Sequence, residues 1–238
     1  MASTSEKGHA KNIANAALII NYASQFGATY NPSNAKIKLN NLEMVFSLSK
    51  SKFQETLDLI PPYTLAVNNR ENIFAPQKKK VSALRKVLKA TEDVTPNLME
   101  DFQTISRRIT GARKKSINTN NEDNVHHSTA QLSYDQKVSN YSQLIDFLKN
   151  VPNYNPNETE FQIVTLEFEK NEMLAATANV NNTYIPLTNA RTSRNQAMYH
   201  GNDNLIDIFN TARTYLLTIV PKNSTNYKAI NKIVFTKI

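Results

Sequence analysis

The stretch YNPSNAKIKLNNLEMV at residues 30–45 returns as YNPNETEFQIVTLEFE at residues 154–169, 124 positions later. The same ungapped alignment of residues 30–74 on 154–198 keeps nine identities in 45 positions. These identities are Tyr30/Tyr154, Asn31/Asn155, Pro32/Pro156, Leu42/Leu166, Glu43/Glu167, Pro62/Pro186, Thr64/Thr188, Ala66/Ala190 and Arg70/Arg194. An offset that holds across two prolines and an arginine indicates an internal repeat, which constrains the architecture before any local assignment.

Each copy contains four segments in which apolar residues recur with helical spacing. The first segment covers residues 9–26 in one copy and 133–150 in the other. The second follows the Tyr-Asn-Pro motif. Asparagine is a strong N-cap, and proline is favoured at the first helical position. We therefore expect Asn31 and Asn155 each to begin a long helix, with the proline of the motif as its first helical residue.

Pro62 and Pro186 would then lie inside these long helices. An interior proline removes one backbone hydrogen bond and clashes with the carbonyl four residues earlier. No cluster of turn-forming residues accompanies Pro186, so the sequence favours a kinked helix that continues to about Phe74 in the first copy and Tyr199 in the second. A third helix and a short fourth helix complete each copy.

These segments predict an all-α protein built from two tandem four-helix units, each with a long proline-kinked second helix. The predicted first repeat is 1–115, the second is 131–238, and a polar linker joins them at 116–130. The chain has four glycines in 238 residues. This scarcity supports a helical fold, because tight hairpins and phosphate loops use glycine at positive φ. Only the tail at 232–238 has a pattern that suits extended backbone.

The N-terminal sequence and the cysteine content bear on the cellular compartment. The chain has no cysteine, which excludes disulfides, thiolate metal sites and a cysteine nucleophile. The first ten residues lack a basic start followed by an apolar stretch, and the apolar run 16–20 is too short for a signal core or a membrane span. We expect a cytoplasmic protein with no signal peptide or transmembrane segment. Export without an N-terminal signal remains an open alternative.

Charge is distributed unevenly between the two halves of this basic protein, whose net charge is +8. Residues 1–119 hold 18 Lys+Arg against 9 Asp+Glu, a net +9, and residues 120–238 hold 10 against 11, a net −1. The two copies therefore share a framework and differ in electrostatics. This difference indicates either a division of labour or two unlike faces that attract each other between molecules.

The best functional candidates are two basic clusters of the first repeat, one beside the third helix and one at the end of the fourth. Their members are Lys78, Lys79, Lys80, Arg85, Lys86, Lys89, Arg107, Arg108, Arg113, Lys114 and Lys115. Phosphate recognition needs many cations on one face, so the clusters predict an anion- or nucleic-acid-binding surface. Base stacking would also need exposed aromatic residues, and only Phe74 and Phe102 are near. A solvated face with favourable charges at helix C-termini explains the same residues without a ligand.

Signals of catalysis and of cofactor binding are nearly absent. The sequence contains no P-loop, no G-x-S-x-G, no Rossmann fingerprint and no H-E-x-x-H. Di-iron bundles need repeated Glu-x-x-His, and of the four histidines only His9 follows a glutamate, Glu6, by three residues. A further group falls in the predicted linker: Glu122, Asp123, His126 and His127. A solvated loop is the better interpretation there, so we expect no catalytic residue, cofactor or metal.

The charged residues that the copies share can pair only between copies. Glu43 and Arg70, like Glu167 and Arg194, are 27 positions apart, or about 40 Å along a straight helix. If the two long helices pack antiparallel, Glu43 faces Arg194 and Glu167 faces Arg70. Such pairs would make these arginines structural residues and not ligand-binding ones.

Four short motifs carry a resemblance to a known group of proteins. They are Tyr-Asn-Pro-Ser at 30–33, Tyr-Asn-Pro-Asn-Glu at 154–158, Ala-Arg-x-x-Arg-Asn at 190–195 and Ser-Tyr-Asp at 133–135. The chain resembles, over nearly its whole length, an uncharacterised group of tandem-repeat helical proteins of Bacteroidota-type bacteria. The resemblance implies a helical fold and no particular activity.

These observations favour a non-enzymatic structural or interaction protein, with self-assembly or a protein partner as its basis. The first alternative is a nucleic-acid-binding protein that uses the basic face of the first repeat. The second alternative is a small-ligand carrier or enzyme with a site between helices.

Overall fold

A computed structural model describes residues 4–111 and 132–238 of the chain. Within these ranges the structure is helical or irregular and contains no strand, which confirms the predicted all-α class. The predicted linker at 116–130 lies outside the described residues. Outside them also lie three of the predicted cations, Arg113, Lys114 and Lys115, and the acidic and histidine group at 122–127.

The described helices follow the predicted segments. They are α1 (Thr4–Gln25), α2 (Leu39–Phe74), α3 (Gln77–Ala90), α4 (Pro96–Thr110), α5 (Tyr134–Lys149), α6 (Ile163–Asn195), α7 (Leu205–Ile219) and α8 (Thr225–Asn231). Short 3-10 turns occupy Gly27–Thr29, Ala35–Ile37 and Thr159–Phe161, and a π-helical segment at Gln196–His200 follows α6 directly.

The long helices α2 and α6 continue through their prolines. α2 has 36 residues and contains Pro61 and Pro62, and α6 has 33 residues and contains Pro186. α2 ends at Phe74, as predicted. α6 ends at Asn195, and the π-helical segment carries the helical path on to His200.

The prediction that Asn31 and Asn155 begin the long helices is wrong. α2 begins eight residues after Asn31, at Leu39, and α6 begins eight residues after Asn155, at Ile163. Both asparagines are exposed, and a 3-10 turn separates each of them from its helix. Cap preference is a local signal, and it did not decide where these helices start.

The prediction that the prolines of the motif are the first helical residues is wrong as well. Pro32 and Pro156 both lie in non-helical backbone, each seven residues before its long helix begins. Pro32 is buried, whereas Pro156 is half-buried, and the Pro156 carbonyl accepts a hydrogen bond from the Gln162 side-chain amide at 3.3 Å. The ring of proline fixes φ near −65°, a value that extended loop backbone tolerates as well as a helix does. The shared prolines therefore belong to the loops that precede the long helices.

The tyrosine of the Tyr-Asn-Pro motif closes the loop that leads into each long helix. The Tyr30 hydroxyl donates a hydrogen bond to the Ile37 carbonyl at 2.6 Å. In the second copy the Tyr154 hydroxyl donates to the Phe161 carbonyl at 2.9 Å. Both bonds span seven residues, so the motif forms a closed entry loop and not a helix cap.

The described chain forms two compact units. Unit 1 consists of residues 1–63 and 183–238, and unit 2 consists of residues 64–182. These units differ from the predicted ranges 1–115 and 131–238, because each unit takes segments from both repeats. Unit 1 carries 13 Lys+Arg against 6 Asp+Glu, a net +7, and unit 2 carries 15 against 14, a net +1. The charge contrast is therefore distributed differently from the sequence halves: unit 1 is the basic unit, whereas the two predicted basic clusters belong to unit 2, whose net charge is close to zero.

Each unit has its own hydrophobic core, drawn from both halves of the sequence. In unit 1, Ile19 and Leu42 pack in one cluster with Phe209 and Leu216. In unit 2, Leu84 and Phe102 pack with residues of α5 and with Leu166. All of these side chains are fully buried.

The tail of the chain is non-helical from Ile233 to Ile238 and is held against α1 in unit 1. The prediction of extended backbone over 232–238 does not hold at Lys232, whose φ of −80° and ψ of −12° are helical. The Asn12 side chain forms two bonds with Thr236: its amide nitrogen donates to the Thr236 carbonyl at 2.8 Å, and its oxygen accepts from the Thr236 N–H at 3.1 Å. The Asn15 amide donates to the Val234 carbonyl at 2.8 Å. Two asparagine side chains one turn apart on α1 thus form hydrogen bonds with the tail backbone of the kind that a neighbouring strand would form.

Candidate nucleic-acid interface

The orientation of α3 is fixed by its apolar residues. Val81, Leu84 and Leu88 are buried in the core of unit 2, and they recur at the spacing of one helix face. Gln77, one turn before Val81, is buried on the same side. Residues on the remaining arc of the helix therefore point away from the core.

Five of the predicted cations lie on that outward arc and are exposed: Lys78, Lys79, Arg85, Lys86 and Lys89. At 100° per residue they fall within about 120° of the helix circumference. α3 contains no aspartate or glutamate. None of the five forms an ion pair with an acidic side chain of the described residues. They form a strip about 16 Å long, measured along the axis from the first to the last, which we call the α3 basic strip.

Lys80 does not belong to the α3 basic strip, although the sequence grouped it with its neighbours. Its ammonium binds the Glu169 carboxylate at 2.8 Å, lies 4.0 Å from the Glu160 carboxylate and donates to the Glu160 carbonyl at 3.1 Å. The same ammonium lies 5.6 Å from the centre of the Phe161 ring. Lys80 is therefore neutralised inside unit 2 and ties α3 to the start of α6.

The second predicted cluster is only partly described. Arg107 and Arg108 lie in the last turn of α4, which packs against α3. Arg108 is exposed and Arg107 is half-buried. The helix ends at Gly111, whose positive φ of 73° suits a C-cap. Basic residues in a last turn also stabilise the helix dipole, so these two arginines have a structural explanation of their own.

The two aromatic residues near the strip are buried. Phe74 packs edge-on against Tyr134, and Phe102 lies within the unit 2 core. Neither ring can act as a platform for a base. Stacking of a base on either ring is therefore excluded, and the contacts that the α3 basic strip offers are those of its cations.

The predicted pairing of Glu167 with Arg70 is wrong, because both residues have other partners. Hydrogen bonds from Lys149, at 2.6 Å, and from Lys170 hold Glu167 and lower the pKa of its carboxyl group. The Arg70 guanidinium lies over the Tyr134 ring, 3.9 Å from its centre.

The corresponding residues of unit 1 lie in different surroundings. Arg194 is buried and donates twice to the side-chain oxygen of Asn195, at 3.1 and 2.9 Å. Glu43 is exposed. A buried arginine bonded to its neighbour is in keeping with the structural role that we expected for the shared arginines.

A buried polar group that the sequence analysis missed lies in unit 1. His9 is 2% exposed, and its Nδ1 atom is hydrogen-bonded to the hydroxyl of Tyr199, which belongs to the π-helical segment. The Asn12 amide donates to the same hydroxyl at 3.4 Å. The signal was available, because His9 and Asn12 extend the spacing of the buried residues Ala16 and Ile19 by two turns.

An open groove of about 840 Å³ runs along α2 in unit 1. Its polar lining includes Lys50, Gln54 and Asp58, and the last two already bond each other at 2.7 Å. Within residues 4–111 and 132–238, no group of three or more His, Cys, Asp or Glu residues is placed to hold a metal ion. None of the described helices combines the length and the apolar composition that crossing a membrane requires.

No family model, curated protein or solved structure matches the sequence. The resemblance to helical proteins of Bacteroidota-type bacteria therefore stays a prediction, and function has to be argued from the residues.

Proposed function

We propose that this protein is a non-enzymatic binding protein and that the α3 basic strip binds the phosphate backbone of nucleic acid. The observation that carries the proposal is the placement of five exposed cations on one side of a helix that contains no acidic residue. A solvated helix face usually mixes both signs of charge, since opposite charges three or four residues apart stabilise it. A face of one sign instead creates a field that attracts a polyanion.

The dimensions of the strip suit a run of phosphates. Its length of about 16 Å spans about five phosphates of one strand, at 3.4 Å of axis per nucleotide. Because contacts to phosphates carry no sequence information, we expect binding with little sequence preference. Five phosphate contacts predict a slope of about −4.5 in a plot of log K against log salt concentration for a duplex.

The test is a binding titration with a mixed-sequence duplex over a series of salt concentrations, read by fluorescence anisotropy. The variant Lys78→Gln/Lys86→Gln/Lys89→Gln removes three of the five contacts. Its slope should fall in magnitude by about 2.7. Arg85 and Lys79 remain in place, so residual binding should persist at low salt.

A matched control removes the same number of charges elsewhere. Lys222, Lys228 and Lys232 are exposed residues of unit 1, and the variant Lys222→Gln/Lys228→Gln/Lys232→Gln changes the net charge equally. Its slope should stay close to that of the unmodified protein. If the slope fell equally in both variants, the effect would be one of net charge and not of the α3 basic strip. If no complex formed at low salt, the proposal would be refuted.

A second candidate function, self-association, is favoured by the outward face of α6. Val164 is 79% exposed and Phe168, one turn later, is 62% exposed. The same ridge continues through Asn171, Ala175 and Ala178, all exposed and none charged, at the alternating spacing of a coiled-coil seam. Exposed apolar residues in such a row mark interaction sites more often than single ones do. Because the ridge lacks charge, two copies can approach along it despite a net charge of +8 each.

The mass in solution tests this second candidate. We expect light scattering at high salt to show a dimer, and the variant Phe168→Glu to be monomeric because a carboxylate would be buried without a partner. Leu18→Glu is the control, since Leu18 is also an exposed apolar residue but lies on α1. A monomeric unmodified protein at high concentration would refute self-association through α6.

We also propose that the two halves arose from one duplicated four-helix unit. The support is the common offset of 124 residues between the entry loops, between the 3-10 turns Ala35–Ile37 and Thr159–Phe161, and between the starts of α2 and α6. A chimera in which residues 154–162 replace residues 30–38 should keep its helical circular dichroism. Loss of the fold in that chimera would argue against equivalent units.

A further inference from the structure

A small cavity lies at one end of the α3 basic strip, within unit 2. Its volume is about 220 Å³, and it is located where α3 and α5 begin and α2 ends. The residues that matter for its chemistry are Glu71, Gln77, Lys78, Tyr134 and Lys137. Lys78 belongs to both the strip and the cavity, so a strand bound along the strip would reach the cavity.

Two helix N-termini meet at this cavity. Gln77 is the first residue of α3, whose N-cap Pro76 provides no side-chain hydrogen bond, and Tyr134 is the first residue of α5. The N-terminal turn of a helix presents free N–H groups and the positive end of the helix dipole. At α5 the Ser133 side chain already accepts a hydrogen bond from the Gln136 N–H, at 3.3 Å, and Asp135 lies in the first turn. The uncapped end of α3 is therefore the end that favours an anion, and phosphate groups commonly bind in this way.

The side chains around the cavity add positive charge. Lys78 and Lys137 line it, and neither forms an ion pair with an acidic residue of the described chain. The Lys137 ammonium lies 5.4 Å from the centre of the Tyr134 ring, and the Arg70 guanidinium lies 3.9 Å from the same centre. The buried Nε of Arg70 has no hydrogen-bond partner among the described residues. Glu71 is the single acidic residue in the lining.

Gln77 supplies a buried polar wall to the cavity. It is 3% exposed, and its amide nitrogen donates to the Lys137 carbonyl at 3.4 Å and contacts the Met173 sulfur at 3.9 Å. Its amide oxygen accepts no hydrogen bond within the described residues. This oxygen is not one of the fully buried polar atoms that lack a partner, so it is accessible to a donor from a ligand. A ligand hydroxyl, such as that of a sugar next to a phosphate, would satisfy it.

We infer that this cavity binds the terminal phosphate monoester of a nucleic-acid strand whose backbone lies along the α3 basic strip. The inference rests on the proposed nucleic-acid-binding function and names the end of the strand that is recognised. The volume limits the ligand, because pockets that enclose whole drug-sized molecules measure about 300–1,000 Å³. A monoester also carries nearly two negative charges at neutral pH, against one for an internal phosphate, so the two lysines and the N-terminus of α3 favour the end of a strand.

The experiment compares one duplex sequence with three kinds of end: 5′-phosphate, 3′-phosphate and hydroxyl only. We expect one of the phosphorylated duplexes to bind about tenfold more tightly than the hydroxyl duplex. The duplex that binds more tightly shows whether the 5′ or the 3′ end of the strand is recognised. The variant Lys137→Gln, whose residue is in the cavity but not in the strip, should bring this preference to within about twofold while binding of the hydroxyl duplex is unchanged. Lys137→Arg should retain the preference, and Lys228→Gln in unit 1 is the control.

The outcomes separate the two proposals. Equal, salt-dependent binding of all three duplexes would overturn the cavity proposal and leave the interface standing. Binding of a phosphorylated duplex alone would support the cavity and contradict the strip. A preference that survives Lys137→Gln in a folded protein would place the phosphate elsewhere and overturn the inference, and no binding of any duplex would end both proposals.

Discussion

At the scale of single residues, the tyrosine of the repeated Tyr-Asn-Pro motif matters more to the structure than the asparagine that was expected to cap a helix. Tyr30 and Tyr154 are the first residues of the repeated motif, and each closes its loop by donating to a carbonyl seven residues later. From the sequence alone, the asparagine and proline beside them indicated a helix start. The error has a physical cause: cap preferences describe neighbours in the chain, whereas the tyrosine bond exists only once the loop has folded back.

The buried Tyr30 phenol makes stability sensitive to alkaline pH. Burial, with a smaller contribution from Tyr215, raises the pKa of Tyr30 from 10.0 to about 12. The unfolded phenol ionises first, so this contribution is complete below pH 10.0 and is lost as the pH rises through about 12. Between about pH 9 and about pH 11.5, the free energy of unfolding should therefore fall by about 2 kcal/mol more in the unmodified protein than in Tyr30→Phe.

Urea denaturation at the two pH values measures this difference. Tyr30→Phe also loses the bond to the Ile37 carbonyl, which should lower stability by about 1 kcal/mol at both pH values. The control is Tyr184→Phe, whose side chain is exposed, and it should keep the full alkaline loss. If the free energy of unfolding fell by the same amount between the two pH values in Tyr30→Phe and in the unmodified protein, the Tyr30 phenol would not contribute to the alkaline loss of stability.

At the scale of elements, the spacing of apolar residues predicted the helices well. The grouping of charged residues that are adjacent in the sequence was a poorer guide to which cations share a surface. The apolar spacing of Val81, Leu84 and Leu88 placed α3 correctly, since burial of one face is what stabilises such a helix. The run of lysines at 78–80 looked like one cluster because the letters are adjacent. On a helix, however, each residue turns by 100°, so Lys80 points to α6 while Lys78 and Lys79 point outward.

This difference predicts opposite effects for neighbouring lysines. Lys80→Gln removes one partner of a half-buried ion pair and leaves Glu169 without its cation. The midpoint of urea denaturation should fall by an amount equivalent to about 1–2 kcal/mol, and affinity for a duplex should change by less than about twofold. Lys79→Gln should show the reverse, with unchanged stability and a salt slope reduced by about 0.9. If both variants behave alike, the assignment of Lys80 to the interior of unit 2 is wrong.

At the scale of the whole molecule, the sequence repeat and the compact units are different divisions of the chain. The repeat was visible because it leaves identical residues at a fixed offset. The partner of each helix was not visible, because packing depends on contacts between residues far apart in sequence, and segments at matching positions of the two halves have similar apolar spacing. The structure joins α1 and the first part of α2 with the last part of α6, α7 and α8 in unit 1. The remaining segments of both copies form unit 2.

This arrangement predicts how fragments of the chain behave. A fragment of residues 1–115 contains only part of each core, and so does a fragment of residues 131–238, because both clusters need residues from both halves. Each fragment alone should lack cooperative thermal unfolding, since exposed apolar faces without partners do not fix a fold. Mixed in equal amounts, the two should associate and recover a cooperative transition measured by circular dichroism. The fragment of residues 64–182 contains the whole hydrophobic cluster of unit 2 and should fold by itself. If the fragment of residues 1–115 folded independently instead, the folding units of this chain would be the repeats and not the compact units.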